Sequence, residues 1–428
     1  MDEITIFWFR RDLRIDDNVA LFYALNENRS VLPIFIFDKN LLEKLSKDDK
    51  RVQFIYTQII KLKNELSKLD INFNVFFDTP YNVFEKLKNQ FNLVNVYSNE
   101  DYEPYAKQRD EEIEKLISPA KFIQKKDQVI FDYSEILKSD NSPYTVYTPY
   151  SKKWKEKLND FYMKEYPCQD YYSSFYNNEN PNFISLNEMG FDHLEHFVET
   201  EIRQNVIENY HNTRDFPAIE GTSKASVHLR FGTISIRKFA KNALQKNEKF
   251  LNELIWRDFY QSILAHFPHV VEKSFKPKYD FIEWRNNEEE FRLWCEGNTG
   301  YPIVDAGMRE LNATGWMHNR VRMIVASFLC KHLLIDWRWG EAYFAEKLMD
   351  FDLASNNGGW QWAAGSGVDA APYFRIFNPY LQTQKFDKDF IYIKKWVPEY
   401  NQFTYPKPIV EHEFARERCL KTYKNYLN

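Results

Sequence analysis

Four groups of residues in the second half of the chain have types and spacings suited to chemistry. Glu253, Trp256, Arg257 and Tyr260 fall at i, i+3, i+4 and i+7, which places them on one helix face. A carboxylate, an indole and a guanidinium so arranged form either a buried ion pair with packing, or a wall that stacks on and hydrogen-bonds a flat ligand. Asn319, Arg322 and Met323 share a face of an otherwise apolar helix that runs on through MIVASFLCKHLL. A buried amide and guanidinium need partners, and Asp350 and Asp352 are the candidate carboxylates. Beside a polar cofactor ring the same groups would tune its redox chemistry; otherwise they are a structural ion pair.

Asn356-Asn357-Gly358-Gly359-Trp360-Gln361-Trp362 reads as a glycine-permitted turn carrying two asparagines and two indoles. The glycine pair allows positive φ or close backbone approach. Glu220 to Ser226 places Thr222, Ser223, Lys224, Ala225 and Ser226 just ahead of a helical pattern. A helix start leaves free N–H groups that suit a phosphate, with plain N-capping by Thr222 or Ser223 as the alternative. Nine of the eleven tryptophans follow residue 250. That lobe has either a very aromatic core or a flat redox partner.

The elements that must position these groups change character along the chain. Apolar runs at Ile4 to Phe9, Val31 to Phe37, Asn72 to Phe77 and Leu93 to Tyr97 alternate with helical spacing over 51–69 and 81–90. Strands alternating with helices predict a doubly wound parallel sheet, whose strand ends form a natural crevice for a small molecule. Neither GxGxxG nor GxxxxGK[ST] occurs, so neither nucleotide fingerprint applies. The expected organisation is an α/β domain over 1–130, a Tyr-, Asn-, Ser- and Pro-rich connector over 131–195, and an all-α domain over 196–428.

At 428 residues and 44 % hydrophobic composition, two domains with sizeable cores are expected. No apolar run reaches membrane-spanning length. Cys168, Cys295, Cys330 and Cys419 lie far apart without metal or disulfide spacing, which suits a reducing cytoplasm and no bound metal. The net charge of −5 is uneven. Residues 201–428 carry 31 Lys and Arg against 28 Asp and Glu, so the aromatic half is the more basic one.

The motifs TGYPIVDAGMRELNATGWMHNRVRMIVASFL, NNGGWQWAAGSGVDAAPYFRIFNP, RDFPAIEGTSKAS and the N-terminal WFRRDLR resemble the photolyase/cryptochrome flavoproteins. The likeness is nearest to the microbial class I cyclobutane pyrimidine dimer photolyases and runs from residue 4 to about 400. It implies an N-terminal Rossmann-like antenna domain and a helical domain holding FAD. It also implies light-driven splitting of pyrimidine dimers in UV-damaged DNA by a monomeric enzyme.

By that resemblance Tyr210 and Thr222 to Ser226 hold the FAD phosphates, with Lys224 where arginine is usual. Phe250 packs the cofactor in place of a tryptophan. Asn319, Arg322, Asp350 and Asp352 contact the flavin ring, and Asn356 faces its N5. Glu253, Trp256, Arg257, Arg320, Met323 and Trp362 form the dimer pocket and rim, while Arg214 and Arg320 hold phosphates. Trp360, Trp337 and Trp284 match a tryptophan chain that reduces the flavin from the surface. In the antenna stretch Asn99 to Ala106, Tyr105-Ala106 stands where the folate-binding branch has Asn-Glu. Folate is therefore disfavoured, and a deazaflavin, a flavin or an empty site stay open. A signalling cryptochrome is the alternative from another class, and a (6-4) photoproduct enzyme or a non-enzymatic flavoprotein are further ones. The short stretch after Trp396, together with Glu253 and Met323, favours cyclobutane dimer repair.

Overall fold

A computed structural model of the chain describes residues 1–28, 30–177, 183–194 and 201–427. It divides into two compact units. The first comprises Met1–Glu135, Glu156–Ile202 and Ala225–Gln245; the second comprises Ile136–Lys155, Arg203–Lys224 and Lys246–Asn428. The domain junction expected at 195 and 196 lies outside the described residues.

In the first unit, β1 (Glu3–Phe9), β2 (Val31–Asp38), β3 (Asn74–Asp78), β4 (Asn92–Asn99) and β5 (Lys121–Lys125) form one sheet ordered β3-β2-β1-β4-β5. All neighbours are parallel, and the register pairs Ile6 with Leu32, Ile36 with Phe76 and Val96 with Phe122. The chain winds outward from β1 in both directions, which is the doubly wound topology. From Ile4 onward β1 is buried on both faces, and β2 is buried throughout. A central strand of a helix-covered parallel sheet needs this, and it explains the unbroken apolar runs. Helices Val19–Glu27, Lys50–Ser67, Pro80–Gln90 and Pro104–Ile117 connect the strands. Pro80 opens its helix where an N–H would go unused, and Thr79 caps it.

Past the carboxyl ends of the strands the first unit buries a closed set of charges. Asp127 accepts from Arg14 at 2.7 Å and from Arg237 at 2.8 Å, and Arg237 also reaches Asp17 at 3.0 Å. Burial pushes the Asp127 carboxyl up, but Arg14 and Arg237 outweigh it and hold the group below its ordinary range. The nearby crevice is lined by Arg10, Arg11, Asn99, Glu100, Asp101, Asp127 and Gln128. Arg11 pairs there with Asp101 at 3.1 Å and Glu103 at 3.0 Å.

The second unit is helical. Its core gathers Trp294, Trp337 and Trp360 with Val304, Leu311, Val321, Val325 and Leu329, and Trp284, Trp339, Trp362 and Trp396 pack against the outside of that cluster. The helix expected to run through MIVASFLCKHLL changes form instead. It is α-helical over Asn319–Ser327 and a π-helix over Phe328–Leu333, closed by Leu334 in the left-handed region. Lys331 on this π-segment is buried and donates to the carbonyls of Ala364 and Tyr373 at 2.9 and 3.3 Å. Burial lowers its pKa to about 8.

Candidate active site

The helix Glu248–His266 carries the first candidate group. Glu253, Trp256, Arg257 and Tyr260 are half-buried along it, while Leu254, Ile255, Asp258 and Phe259 are buried. The i, i+3, i+4, i+7 spacing therefore produces one partly open face. Trp256 is fixed from behind. Tyr147 stacks on it with ring centroids 3.7 Å apart and planes 2° from parallel, and the Tyr147 hydroxyl donates to the Asn252 carbonyl at 3.0 Å. Trp154 Nε1 donates to Asp258 at 3.0 Å, tying the same segment to this helix. With one ring face covered by Tyr147, Trp256 has only the other to offer a flat ligand.

Glu253 does not stand alone. Its carboxylate pairs with Arg214, and its side chain keeps 30 % of its exposure. Burial raises the Glu253 pKa, and the Arg214 charge opposes part of the rise. Arg320 pairs in turn with Asp215 at 2.6 Å. The two arginines expected to hold phosphates thus both carry carboxylates in the free protein. Met323 lies against Arg320, with sulfur 3.7 Å from Nη1.

Arg322 makes the ion pair its sequence context demanded: Nη2 reaches both Asp350 oxygens at 2.9 and 3.1 Å, while Nε donates to the Met317 carbonyl at 2.8 Å. Asp352 takes another role. It caps the helix Leu353–Ala364 through Ser355 N–H at 3.0 Å and accepts from Gln261 Nε2 at 2.9 Å. Asn319 is exposed at the first turn of the Arg322 helix, and His318 caps that helix. His318 is 2 % exposed, its Nε2 has no hydrogen-bond partner among the described residues, and burial lowers its pKa to about 4. The imidazole is therefore neutral at physiological pH.

The segment Asn356 to Trp362 is not a turn. It lies inside the helix Leu353–Ala364, bracketed by the Asp352 cap and Gly365 at φ +93°. Gly358 serves close approach, and neither glycine of the pair has positive φ. A Cβ on Gly358 would stand 2.3 Å from the Tyr260 ring, whereas at Gly359 it would meet nothing within 4 Å. Asn356 is nearly buried and its amide donates to the Glu341 carboxylate at 2.8 Å. Burial raises the Glu341 pKa against that hydrogen bond.

Trp360 packs edge-on to Trp294 at 6.0 Å and to Phe344 at 5.0 Å, and its ring fills the space beside Gly340. Trp337 is buried in the same cluster. Trp284 is half-buried and meets Tyr423 edge-on at 6.0 Å. Trp362 is half-buried against the cluster.

Neither Thr222 nor Ser223 caps the following helix, which starts at Ser226 in the first unit after Ala225, with no side-chain cap. The N-capping alternative fails because Lys224 intervenes at φ +54° and turns the chain. The Lys224 ammonium sits 4.9 Å from the Trp316 ring centre, and burial lowers its pKa. Tyr210 meets Phe250 edge-on at 5.0 Å. The sequence alone does not single out Asp215, His318, Tyr147, Gln261 or Glu341. RDFP and GWMHNR hinted at the first two, while the others show no local signal.

The Thr222 and Ser223 hydroxyls, Lys224, the Arg322–Asp350 pair and a buried His318 nitrogen without a partner among the described residues are groups of the kind a flavin dinucleotide takes. Comparison with known proteins agrees. Residues 5–169 match the DNA photolyase family and residues 250–404 match the FAD binding domain of DNA photolyase. The chain is 36 % identical to the deoxyribodipyrimidine photo-lyase of Escherichia coli (strain K12), with 98 % of each chain covered. It superposes on a bacterial class III photolyase from Agrobacterium tumefaciens with TM-score 0.89 and 32 % identity, covering 100 % of this chain and 98 % of that one. An archaeal photolyase from Sulfolobus tokodaii, solved with two FAD molecules, gives TM-score 0.86 and 35 % identity over 99 % and 100 % of the two chains. A Synechocystis cryptochrome at 23 % identity shares the fold. With such likeness along its whole length to photo-lyases, and both family domains matched, the chain belongs to the DNA photolyase family.

Proposed function

We propose that this protein is a deoxyribodipyrimidine photo-lyase that uses light to split cyclobutane pyrimidine dimers in DNA, acting as a monomer in the cytoplasm. The observation that carries the reading is the half-buried face of Glu253, Trp256 and Arg257, with one side of the Trp256 indole covered by Tyr147. An indole packed on one face and open on the other is a stacking platform for a flat base. The half-buried Glu253 carboxyl beside it suits the edge of that base, because a polar group that a bound base would desolvate discriminates between paired and unpaired partners. That photolyases flip their target base out of the stack is a general property of such enzymes.

Roles divide over the helical residues, 196–428. Tyr210, Thr222, Ser223, Lys224, Ala225 and Ser226 hold the FAD phosphates, and Phe250 packs the cofactor. Asn319, Arg322, Asp350, Asp352 and Asn356 hold the flavin ring. Bound FAD supplies the light absorption and the electron that opens the cyclobutane ring. Glu253, Trp256, Arg257, Met323 and Trp362 bind the dimer, and Arg214 and Arg320 take phosphates. Trp360, Trp337 and Trp284 carry electrons inward from the surface. Free thiols at Cys168, Cys330 and Cys419, all buried, suit a reducing cytoplasm. Residues 1–130 form the antenna domain and 131–195 the connector. A deazaflavin or a flavin as antenna suits the departure from the folate pattern at Tyr105-Ala106.

The test is to illuminate the reduced holoprotein with dimer-containing DNA. Loss of dimers in light and none in the dark is expected. A flavin-bearing protein that leaves dimers intact in light would overturn cyclobutane dimer repair and favour the cryptochrome-type alternative.

A further inference from the structure

Residues 214 and 215 each hold an opposite charge on a different helix. Arg214 pairs with Glu253 on the helix Glu248–His266, and Asp215 pairs with Arg320 on the helix Asn319–Ser327. Arg320 is constrained on several sides. Its guanidinium lies 4.4 Å from the Phe386 ring centre, Nη1 touches the Met323 sulfur, and its buried Nε has no hydrogen-bond partner among the described residues. The Arg320 and Asp215 side chains keep 18 % and 39 % of their exposure, so water and a ligand can reach the pair.

We propose that Asp215 is an internal stand-in for a DNA phosphate: its carboxylate occupies Arg320 in the free protein, and a backbone phosphate takes its place when DNA binds. The proposal rests on reading Arg320 as a phosphate contact. A carboxylate and a phosphodiester are both monoanions whose paired oxygens accept from a guanidinium. A partly exposed ion pair is weak enough to be exchanged. Until it exchanges, it holds the arginine in one orientation, so less ordering remains to be done at binding. It also hides a positive charge from any undamaged duplex that passes. Asp215 thereby restrains binding that does not engage the site fully, which makes it a specificity-determining residue.

The test is a salt titration of binding, in the dark, by holoprotein with Asp215→Asn, Arg320→Ala and both together, on undamaged and dimer-containing duplexes. Asparagine keeps the size and one hydrogen-bond acceptor while removing the charge. Each phosphate contact contributes about 0.9 to the slope of log affinity against log salt. Asp215→Asn should steepen the slope by up to that amount and tighten binding to undamaged DNA about two- to fivefold at moderate salt. In the Arg320→Ala background the same change should alter neither quantity. The proposal is overturned if Asp215→Asn leaves the slope unchanged, or if its effect persists without Arg320, as a general charge effect would. If Arg320→Ala alone leaves the slope unaltered, the phosphate reading of Arg320 fails first and takes the proposal with it. Flavin content and thermal midpoint establish that each variant folds, and Asp215→Ser repeats the test with a smaller side chain.

Discussion

The two units of this protein handle charge and aromatic bulk in opposite ways. In the first, Arg14, Arg237, Asp17 and Asp127 are deeply buried and matched to one another, around a sheet whose core is mainly isoleucine, valine and phenylalanine. Trp8 is its sole tryptophan. In the second, the pairs Arg214–Glu253 and Arg320–Asp215 stay partly open, and the remaining ten tryptophans all fall in this unit, seven of them in or against its core cluster. A closed set of buried charges holds a fold, because no member can change partner without stranding another. A partly open set beside rigid indoles can trade partners, which is what a binding site requires.

Breaking the closed set should have the largest effect. Arg237→Ala leaves Asp17 and Asp127 short of a partner in the interior and should cost about 3–5 kcal/mol. Denaturant unfolding would measure it, and repair per folded, flavin-bearing molecule should be unchanged. The next effect is acid sensitivity of the second unit. His318 and His332 have pKa values of about 4 and about 3 in the fold, against 6.5 for free imidazole. Their folded values lie below the unfolded one, so the unfolded chain binds more protons in this window. Stability should be fully present above pH 6.5 and fall toward pH 4, by roughly 3 kcal/mol for His318 given 1.36 kcal/mol per unit. His318→Asn should flatten that part of a curve of unfolding free energy against pH.

A smaller loss is expected at Gly358→Ala, where the added methyl must displace the Tyr260 ring. Such overpacking costs about 1–3 kcal/mol, and Tyr260→Leu in the same chain should restore part of it. Trp360→Phe should leave the fold nearly intact. A benzene ring is much harder to oxidise than an indole, so light with an external reductant should no longer reduce the bound flavin. Dimer splitting by chemically reduced protein should persist. Normal photoreduction in this variant would remove Trp360 from the relay.

Much of this contrast was readable in the chain, though unevenly. The central strands announced themselves because both faces are buried, so apolar residues run unbroken through β1 and β2. The edge strand β5, KFIQK, carries no such signal because it is short, charged at both ends and only partly buried. The strand expected from Asn72 starts at Asn74. The helix Glu248–His266 kept its predicted face because one side is half-open and the other buried. The stretch around Asn356 reads as a turn because Asn-Asn-Gly-Gly is turn chemistry in isolation. Its cap at Asp352, its stop at Gly365 and the Tyr260 ring against Gly358 override that local preference. The Arg322–Asp350 pair could be anticipated, since a guanidinium on an apolar helix demands a carboxylate. The pairings Arg214–Glu253 and Arg320–Asp215 could not, since they join residues 39 and 105 positions apart.

The central claim is that the Glu253 face of the second unit handles the lesion, and Glu253→Ala tests it most directly. Repair per bound flavin under light should fall by an amount equivalent to roughly 1–3 kcal/mol, the scale for leaving a desolvated hydrogen-bonding partner unmatched. Flavin content, measured on the same preparation, should stay at the wild-type level. A variant that sheds its flavin while the remaining holoprotein repairs at full rate would make Glu253 a cofactor residue and contradict the account.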